Sequence, residues 1–147
     1  MASSRVLRRT ALRYLETSAL VAATIENDAE ALASISADGA LVASALTFAE
    51  ARRAAVVGRV TGRFDADAEQ RITATVAEIE RRSDIVQITP DILTCLGQPF
   101  AVEPVRALDA IHLASIESLH EDPHNVVVVT RDKRIKANAL ALGYAVE

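Results

Sequence analysis

Short apolar runs alternate with longer amphipathic stretches along this chain. The clearest run is Val126–Val129, because four consecutive Val residues are typical of a parallel strand that is covered on both faces. Residues 40–44 form another apolar run of strand length, and Tyr14-Leu15 ends a run that begins at about Ala11. The pattern therefore predicts strands over about 11–15, 40–44, 85–88, 126–129 and 144–146.

Apolar residues between these runs recur at helical spacing. Ile72, Val76 and Ile79 are separated by four and three residues, which predicts a helix over about 65–82. Thr47 is followed three residues later by Glu50, which is the Thr-x-x-Glu capping-box pattern at the start of another helix. Five further helices are predicted. The first two lie over about 19–25, capped by Thr17 or Ser18, and over 29–36, capped by Asn27 or Asp28. The other three begin at about 91, span about 105–119, and span 133–142, and Gly143 follows the end of the last one.

The order of these elements indicates the fold class. Strands that alternate with helices form parallel sheets with helices on both faces. We therefore expect an α/β fold, a three-layer α/β/α sandwich around a short parallel sheet. We find no internal repeat and no interdomain linker, and 147 residues suit one domain.

Composition narrows the function classes. Half of the residues are hydrophobic but only 3% are aromatic, which disfavours single-strand binders that stack bases on aromatic rings. The single cysteine excludes an internal disulfide and suits a reducing cytoplasm, and no run approaches the roughly 18 apolar residues of a membrane helix. The net charge of −4 weakens a nucleic-acid hypothesis without excluding it, because charges act locally.

Residues 1–13 form a basic N-terminal extension that precedes the domain. The segment carries Arg5, Arg8, Arg9 and Arg13 and lacks the continuous apolar stretch of a signal peptide. It is either an arm that contacts a polyanion, a flexible extension, or the product of a start codon placed too early.

Three acidic residues follow predicted strands. Glu16 comes directly after the first strand, Glu50 lies in the first turn of the helix after the second, and Asp132 follows Val126–Val129. Ligands of parallel sheets bind beyond the carboxyl ends of the strands. We therefore expect these carboxylates at one edge of the sheet. Taken singly, each could instead cap or support a helix start.

Asp109 is the fourth acidic residue of interest, because it sits on an apolar helix face. In the helix over 105–119, helical spacing places Asp109 on one face with residues 105, 112, 113 and 116. A carboxylate there needs a partner, since burying an unpaired charge is costly. The partner is either Arg106, one turn earlier, or a metal ion. The start of this helix also lies at the carboxyl edge of the sheet, so four carboxylates are expected to converge.

Four converging carboxylates suit a hard divalent cation. Oxygen ligands without a Cys/His set indicate Mg²⁺ or Mn²⁺, and such ions support phosphodiester hydrolysis. The three His residues form no competing set. His112 is expected in the core or in a supporting role, whereas His120 and His124 lie in a loop.

Four segments stand out in order along the chain: Tyr-Leu-Glu-Thr-Ser-Ala-Leu-Val (14–21), Ser-Ala-Leu-Thr-Phe-Ala-Glu (44–50), Arg-Ala-Leu-Asp-Ala-Ile-His-Leu-Ala (106–114) and Val-Val-Thr-Arg-Asp-Lys-Arg-Ile (128–135). In this order they resemble the motifs of PIN-domain ribonucleases, and most closely the VapC-like toxins of bacterial toxin–antitoxin pairs. The resemblance covers the chain after Arg13 and implies a PIN domain over 14–147. It implies a metal-dependent endoribonuclease that cuts single-stranded or loop RNA, is dimeric, and is inhibited by a cognate antitoxin.

The resemblance also implies roles for individual residues. Glu16, Glu50, Asp109 and Asp132 take the acidic positions of the family, with Thr130 as a supporting polar residue. Glu16, Asp109 and Asp132 would be the principal ligands, and Glu50 would bind a second ion or orient water. The first position is usually Asp in this family, and the extra methylene of Glu16 changes the reach of that carboxylate.

The sequence leaves three functional hypotheses. The first is a Mg²⁺- or Mn²⁺-dependent endoribonuclease toxin of the cytoplasm, a homodimer with an RNA substrate and an antitoxin partner. The second is a catalytically silent PIN-fold binding module, supported by Glu16. The third, a nuclease that acts on DNA flaps, is disfavoured because the chain has no inserted arch-like segment. In the first hypothesis, RNA phosphates would be held by Arg131, Lys133, Arg134 and Lys136.

Overall fold

The computed structural model describes residues 11–147, so Arg5, Arg8 and Arg9 of the predicted extension lie outside the described residues. The strands are β1 (Leu12–Leu15), β2 (Ala40–Ser44), β3 (Ser83–Val86), β4 (Val126–Val129) and β5 (Ala145–Val146). The helices are α1 (Thr17–Thr24), α2 (Ala29–Ser36), α3 (Ala45–Val60), α4 (Ala66–Arg81), α5 (Pro90–Cys95), α6 (Ala107–Glu117) and α7 (Lys133–Ala141), with a short 3₁₀ helix, Pro123–Asn125, before β4.

The five strands form one parallel sheet in the order β3-β2-β1-β4-β5. The chain therefore builds outward from β1 to β3 and then crosses back over β1 to place β4 on its other side. The connections that follow β1 and β4 go to opposite sides of the sheet, because β1 leads to β2 and β4 leads to β5. The gap between the ends of β1 and β4 is therefore the topological switch point, where ligands bind in open α/β sheets. Leu15 pairs with Val129, so the two strands end level with each other.

Alternating side chains of the strands fill two separate cores. Leu15 and Val129 belong to the core under α1–α4, whereas Tyr14 and Val128 belong to the core under α6 and α7. Both faces of the sheet are thus covered by helices, which confirms the predicted three-layer α/β/α sandwich. This burial on both sides also explains why β4 consists of Val alone.

Two predicted local features are wrong. Helix α3 begins at Ala45, because the Ser44 hydroxyl caps it by accepting a hydrogen bond from the Leu46 amide over 3.2 Å. The Thr47 hydroxyl instead donates to the Leu15 carbonyl over 3.1 Å, so no capping box forms and Glu50 lies in the second turn. Strand β3 covers residues 83–86, two residues earlier than predicted, because its register follows β2.

Two helix caps were predicted among alternatives. Asp28 caps α2 by accepting a hydrogen bond from the Ala31 amide over 3.0 Å, as expected. Helix α1 is capped by Glu16, which accepts from the Ser18 amide, rather than by Thr17 or Ser18. The helix therefore begins two residues earlier than predicted.

Arg13, which we placed at the end of the basic extension, lies in β1. Its side chain is buried, donates to the Ser34 carbonyl over 2.8 Å and forms an ion pair with Glu147. Across residues 11–147, none of the helices combines the length and apolar character that a membrane span requires.

Candidate active site

Glu16 and Thr130 meet at the carboxyl ends of β1 and β4. The Thr130 hydroxyl donates to Glu16 Oε2 over 2.7 Å, and the Glu16 amide donates to the Val129 carbonyl over 3.0 Å. The Ser18 amide donates to the same Oε2 over 3.1 Å, and the Ser18 hydroxyl also donates to it. Glu16 is only 4% exposed, so this carboxylate is held in place at the switch point of the sheet.

Glu50 reaches the same edge from the second turn of α3. Its Oε1 atom accepts hydrogen bonds from the Thr17 hydroxyl over 2.6 Å and from His112 Nε2 over 2.9 Å. The Glu50 side chain is 29% exposed, whereas His112 is buried. Thr17 begins α1, directly after Glu16, so the α1 start positions both carboxylates.

His112 joins the two glutamates. Its Nε2 atom lies 2.9 Å from Glu50 Oε1 and 3.8 Å from Glu16 Oε1. Its other ring nitrogen, Nδ1, lies 3.1 Å from the Tyr14 hydroxyl. The sequence predicts His112 in the core or in a supporting role, and in the structure it is buried and contacts both glutamates.

Asp109 lies beside Glu50 rather than within the His112 contacts. Its Oδ2 atom lies 3.4 Å from Arg106 Nε, so Asp109 has Arg106, one of its two predicted partners, as an ion-pair partner. Glu50 and Asp109 line a cavity of about 300 Å³ together with Arg106, Ala107 and Leu108. The predicted apolar face is present, because His112, Leu113 and Ile116 on the same helix are buried.

Asp132 is linked to Glu16 indirectly, through Thr130. Its Oδ1 atom caps α7, accepting from the Arg134 and Ile135 amides over 2.8 and 2.9 Å. The Asp132 amide donates to the Thr130 hydroxyl over 3.0 Å, which links it to Glu16. Hydrogen bonds thus link Asp132 to Glu16 through Thr130, whereas Asp109 shares only a cavity lining with Glu50.

The predicted phosphate-binding residues differ in their surroundings. Arg131 forms an ion pair with Asp28, with Nε 2.9 Å from Oδ2, so its charge is already matched. Lys133 and Lys136 are exposed and line a cavity of about 200 Å³ that also contains Asp132. Arg134 is exposed and lies outside that cavity.

Two pKa shifts describe the electrostatics of the site. Burial of the Glu50 carboxyl favours a higher pKa, but the hydrogen bonds from His112 and Thr17 have a larger combined effect in the opposite direction. The pKa of Glu50 therefore lies below its ordinary value. Burial raises the pKa of Tyr14, so its hydroxyl keeps the hydrogen that it can donate. Glu50 is therefore ionised and the phenol is neutral near pH 7.

The donor set fits a hard divalent cation in its chemistry. Each of the four carboxylates keeps one oxygen that no donor of residues 11–147 hydrogen-bonds, namely Glu16 Oε1, Glu50 Oε2, Asp109 Oδ1 and Asp132 Oδ2. Within the same residues, no three His, Cys, Asp or Glu side chains form a ready-made metal-binding group. Mg²⁺ commonly retains several waters and takes one or two protein carboxylates, so a complete protein cage is not required.

The sequence predicts a core or supporting role for His112, but it does not predict the hydrogen bonds that Tyr14, Thr17, Ser18 and His112 make at the site. Two signals were available for part of this set. Tyr14 precedes Glu16 by two residues, and His112 follows Asp109 by three, which are the spacings of one strand face and one helix face. The hydrogen bonds of Thr17 and Ser18 left no pattern in the sequence.

The comparisons identify the family. The family model described as PIN domain matches residues 13–140, and the chain belongs to this family, whose members are generally nucleases. No curated protein matches the chain.

Solved structures show the same fold at low sequence identity. The chain is similar to FitAB bound to an IR36 DNA fragment, with 15% identity, a TM-score of 0.61, and 92% of this chain and 93% of that chain covered. It is similar to PAE2754 from Pyrobaculum aerophilum, with 19% identity, a TM-score of 0.60, and 99% and 91% covered. VapBC2 from Rickettsia felis, bound to a DNA fragment from its promoter, has 14% identity, a TM-score of 0.54, and 92% and 97% covered.

Proposed function

We propose that this chain is a Mg²⁺- or Mn²⁺-dependent endoribonuclease and the toxin of a toxin–antitoxin pair. The observation that carries the proposal is the meeting of Glu16 and Glu50 at His112 Nε2, at the switch point of a PIN-domain sheet. Asp109 shares a cavity with Glu50, and Asp132 is linked to Glu16 through Thr130. Membership of a family of nucleases and the resemblance to VapC-like toxins support the assignment.

Glu16, Asp109 and Asp132 would be the principal ligands, and Glu50 would bind a second ion or orient water. Each would act through the oxygen that it leaves without a hydrogen bond. The ion would supply Lewis-acid polarisation of a phosphoryl oxygen and a lowered pKa for water. The chain itself fixes the direction of the carboxylates, through Thr130 and Ser18 for Glu16 and through Thr17 and His112 for Glu50. These contacts preset the site before an ion arrives, which lowers the cost of ordering it.

Lys133, Arg134 and Lys136 are the proposed contacts for RNA phosphates. They are exposed at the start of α7, next to Asp132, and their charges can attract a polyanion to an otherwise acidic chain. Arg131 is a weaker candidate, because Asp28 already pairs with it. The neutralisation of all three α7 charges should weaken RNA binding more at low salt than at high salt.

An RNA cleavage assay tests the enzyme assignment. The wild type should cleave a single-stranded RNA with Mn²⁺ or Mg²⁺, leave a 5′-phosphate and a 3′-hydroxyl, and lose activity with a chelator. Asp109→Asn should abolish cleavage, whereas the exposed control Asp67→Asn should not. Equal cleavage by wild type and Asp109→Asn would reject the proposed site.

We further propose that the antitoxin binds along α3 and that the toxin is a homodimer in the cytoplasm. Val57 and Val60 on α3 are 47% and 70% exposed, and Arg53 lies one turn before Val57 on the same face. An apolar stripe beside a positive charge suits an amphipathic segment with acidic residues. FitAB and VapBC2, both solved as complexes with DNA, have the same fold.

Expression in a host tests the partner. The toxin alone should arrest growth, and co-expression with the product of the neighbouring upstream gene should relieve the arrest. Val57→Asp with Val60→Asp should retain toxicity and lose the relief. Arrest that persists equally with the partner and the wild-type toxin would contradict this partner assignment. Size-exclusion chromatography with light scattering tests the homodimer, which a monomeric mass would exclude.

A catalytically silent PIN-fold binding module remains the second candidate, because one observation favours it. Glu16 acts as the N-cap of α1, and its Oε2 atom accepts three hydrogen bonds from Ser18 and Thr130. A side chain that caps a helix can be retained for stability alone. If the wild type is inactive with both metals and Glu16→Asp is active, the silent module is the correct assignment.

A further inference from the structure

His112 uses its ring nitrogens in a way that a purely structural core histidine does not require. The side chain is 1% exposed, so both nitrogens need partners inside the protein. A backbone carbonyl would suffice for one of them. Instead Nε2 contacts the Glu50 carboxylate and the Thr17 hydroxyl, and Nδ1 contacts the Tyr14 hydroxyl. Every hydrogen-bond partner of the ring thus comes from the residues around the candidate site.

The hydrogen-bond partners determine which nitrogen carries the hydrogen in the neutral ring. Glu50 Oε1 can only accept, so His112 Nε2 must donate to it. The single hydroxyl hydrogen of Thr17 is already donated to the same Glu50 oxygen, so Thr17 also presents only lone pairs to Nε2. Nδ1 is then the acceptor, and the Tyr14 hydroxyl donates to it over 3.1 Å.

We propose that His112 is a positioning residue for Glu50: the Tyr14 hydroxyl fixes the imidazole as the Nε2–H tautomer, which holds Glu50 Oε1 and leaves Glu50 Oε2 for the divalent cation. The proposal rests on the proposed function, because it assigns the two residues that orient one of the acids. Tyr14 and His112 act through Glu50 and need no contact with RNA. A ring of the opposite tautomer would turn a lone pair toward Glu50 and repel it.

The Tyr14–His112 pair offers a matched set of variants. Tyr14→Phe removes one oxygen from a buried side chain and keeps the ring. Tyr144→Phe is the control, because Tyr144 is 8% exposed and belongs to the same core, but within residues 11–147 the hydrogen bonds of the His112 ring go to other residues. His112→Gln keeps an amide donor near the position of Nε2, whereas His112→Asn places its amide near that of Nδ1.

Three measurements distinguish positioning from packing. Nitrogen-15 NMR of the imidazole, without metal or RNA, reports the tautomer. Titration with Mn²⁺, followed by electron paramagnetic resonance, reports the affinity of the site. Steady-state cleavage of an RNA oligonucleotide gives kcat and KM separately, which separates positioning at the metal from binding of RNA. Thermal unfolding of each variant establishes that it is folded.

We expect the wild-type ring to be the Nε2–H tautomer. Tyr14→Phe should lose that single tautomer and weaken Mn²⁺ affinity and kcat by roughly 10- to 100-fold, the usual cost of removing a residue that supports a metal ligand. KM for RNA should stay unchanged, and Tyr144→Phe should match the wild type throughout. His112→Gln should retain more Mn²⁺ affinity than His112→Asn. If both His112 variants unfold, the two Tyr variants still decide the proposal.

Two results would overturn the proposal without affecting the proposed function. One is an Nδ1–H tautomer in the wild type. The other is an active wild type in which Tyr14→Phe binds Mn²⁺ and cleaves RNA as well as Tyr144→Phe does, which would reject the positioning role and leave the proposed function intact. A wild type that neither binds Mn²⁺ nor cleaves RNA would reject the proposed function, and the positioning role with it.

Discussion

The Thr130 hydroxyl donates to Glu16 Oε2 over 2.7 Å, although the two residues are 114 positions apart in the sequence. The same hydroxyl oxygen accepts a hydrogen bond from the Asp132 amide over 3.0 Å. Thr130 therefore connects the end of β1 with the start of α7. Because it is buried, its loss leaves Glu16 and the Asp132 amide short of a partner.

Thr130→Val should destabilise the protein by about 1–3 kcal/mol, the usual cost of a buried group that loses its hydrogen bond. Thr130→Ser keeps the hydroxyl and should recover most of that loss. Thr75→Val is the control, because the Thr75 side chain is exposed on α4 and bonds only within its helix. Urea unfolding would measure all three, and equal losses for Thr130→Val and Thr75→Val would contradict the prediction.

Changes at Glu16 should affect both stability and metal binding. Glu16→Gln keeps the length but removes the charge at the α1 N-terminus, which should cost about 1 kcal/mol of stability. It should also weaken Mn²⁺ binding. Asp109→Asn should weaken binding too, and the double variant should lose less than the sum of the two, because both residues serve one site. Calorimetric titration with Mn²⁺ measures the coupling between the two substitutions. If their losses of binding free energy are strictly additive, Glu16 and Asp109 do not serve one site.

Glu16→Asp tests whether the site is built for the longer side chain. The shorter carboxylate is withdrawn from the Thr130 hydroxyl, so we expect lower stability and a changed preference between Mn²⁺ and Mg²⁺. Cleavage rates with each ion give that preference. A variant that gains activity with both ions equally would show that the neighbours have not adjusted to Glu16.

Divalent cations should raise the melting temperature, because an ion that binds only the folded state stabilises it by mass action. At a concentration a hundredfold above Kd, the free energy of unfolding rises by about 2.7 kcal/mol. In a domain of this size, each kcal/mol raises the melting temperature by roughly 2–4 °C. Differential scanning fluorimetry with Mn²⁺ measures the shift. Asp109→Asn should reduce the shift and Asp67→Asn should keep it, whereas identical shifts in all three proteins would place the ion elsewhere.

The Asp28–Arg131 ion pair predicts a pH dependence of stability. The hydrogen bond from Arg131 lowers the pKa of Asp28 from 3.8 to about 2. A lowered pKa in the folded state contributes stability that is present above the ordinary pKa and is lost as pH falls toward the folded value. The difference in melting temperature between wild type and Asp28→Asn should therefore be largest near neutral pH and should shrink between about pH 4 and pH 2.

Arg131→Gln is the matched variant for that experiment. It removes the main cause of the pKa shift and keeps Asp28 as the cap of α2. The decrease in stability over the same pH window should be smaller in this variant than in the wild type. If the two curves are parallel, the ion pair is not the source of the pH dependence.

Gly39 should not tolerate a side chain. It has a φ of +135°, and an added Cβ would lie 2.5 Å from the Ala11 carbonyl oxygen, in the backbone that leads into β1. Gly39→Ala combines backbone strain with a steric clash and should cost more than 1 kcal/mol. Gly62 has a φ of +75° and open space around it, so Gly62→Ala carries the strain alone. Chemical denaturation should show the larger loss for Gly39→Ala, and the reverse order would refute the clash.

Strands and helix caps that depend on local residues or on burial could be predicted from the sequence. The all-Val strand Val126–Val129, the run at 40–44 and the cap at Asp28 are confirmed. Each follows from a short stretch whose neighbours do not change the outcome. The convergence of Glu16 and Glu50 followed from the topology of parallel strands rather than from either residue alone.

The failures arose where a distant residue competes for a side chain. Thr47 has the spacing of a capping box with Glu50, but its hydroxyl donates to the Leu15 carbonyl in β1. Glu50 in turn is bound by Thr17 and His112, from two other helices. No local pattern contains these partners, because the sheet brings them together only after folding.

The position of β4 in the sheet determines when the sheet is completed during synthesis of the chain. Strand β1 is made first, yet its second neighbour consists of residues 126–129, and Glu16 gains the Thr130 contact only when that neighbour is in place. Folding during translation proceeds from the N-terminus, so one edge of β1 stays unpaired until residues 126–129 have emerged. A chain whose synthesis stops before Val126 lacks β4 and the Thr130 contact to Glu16. If the proposed nuclease can attack the RNA of its own cell, the topology delays its activity until Thr130 has been synthesised.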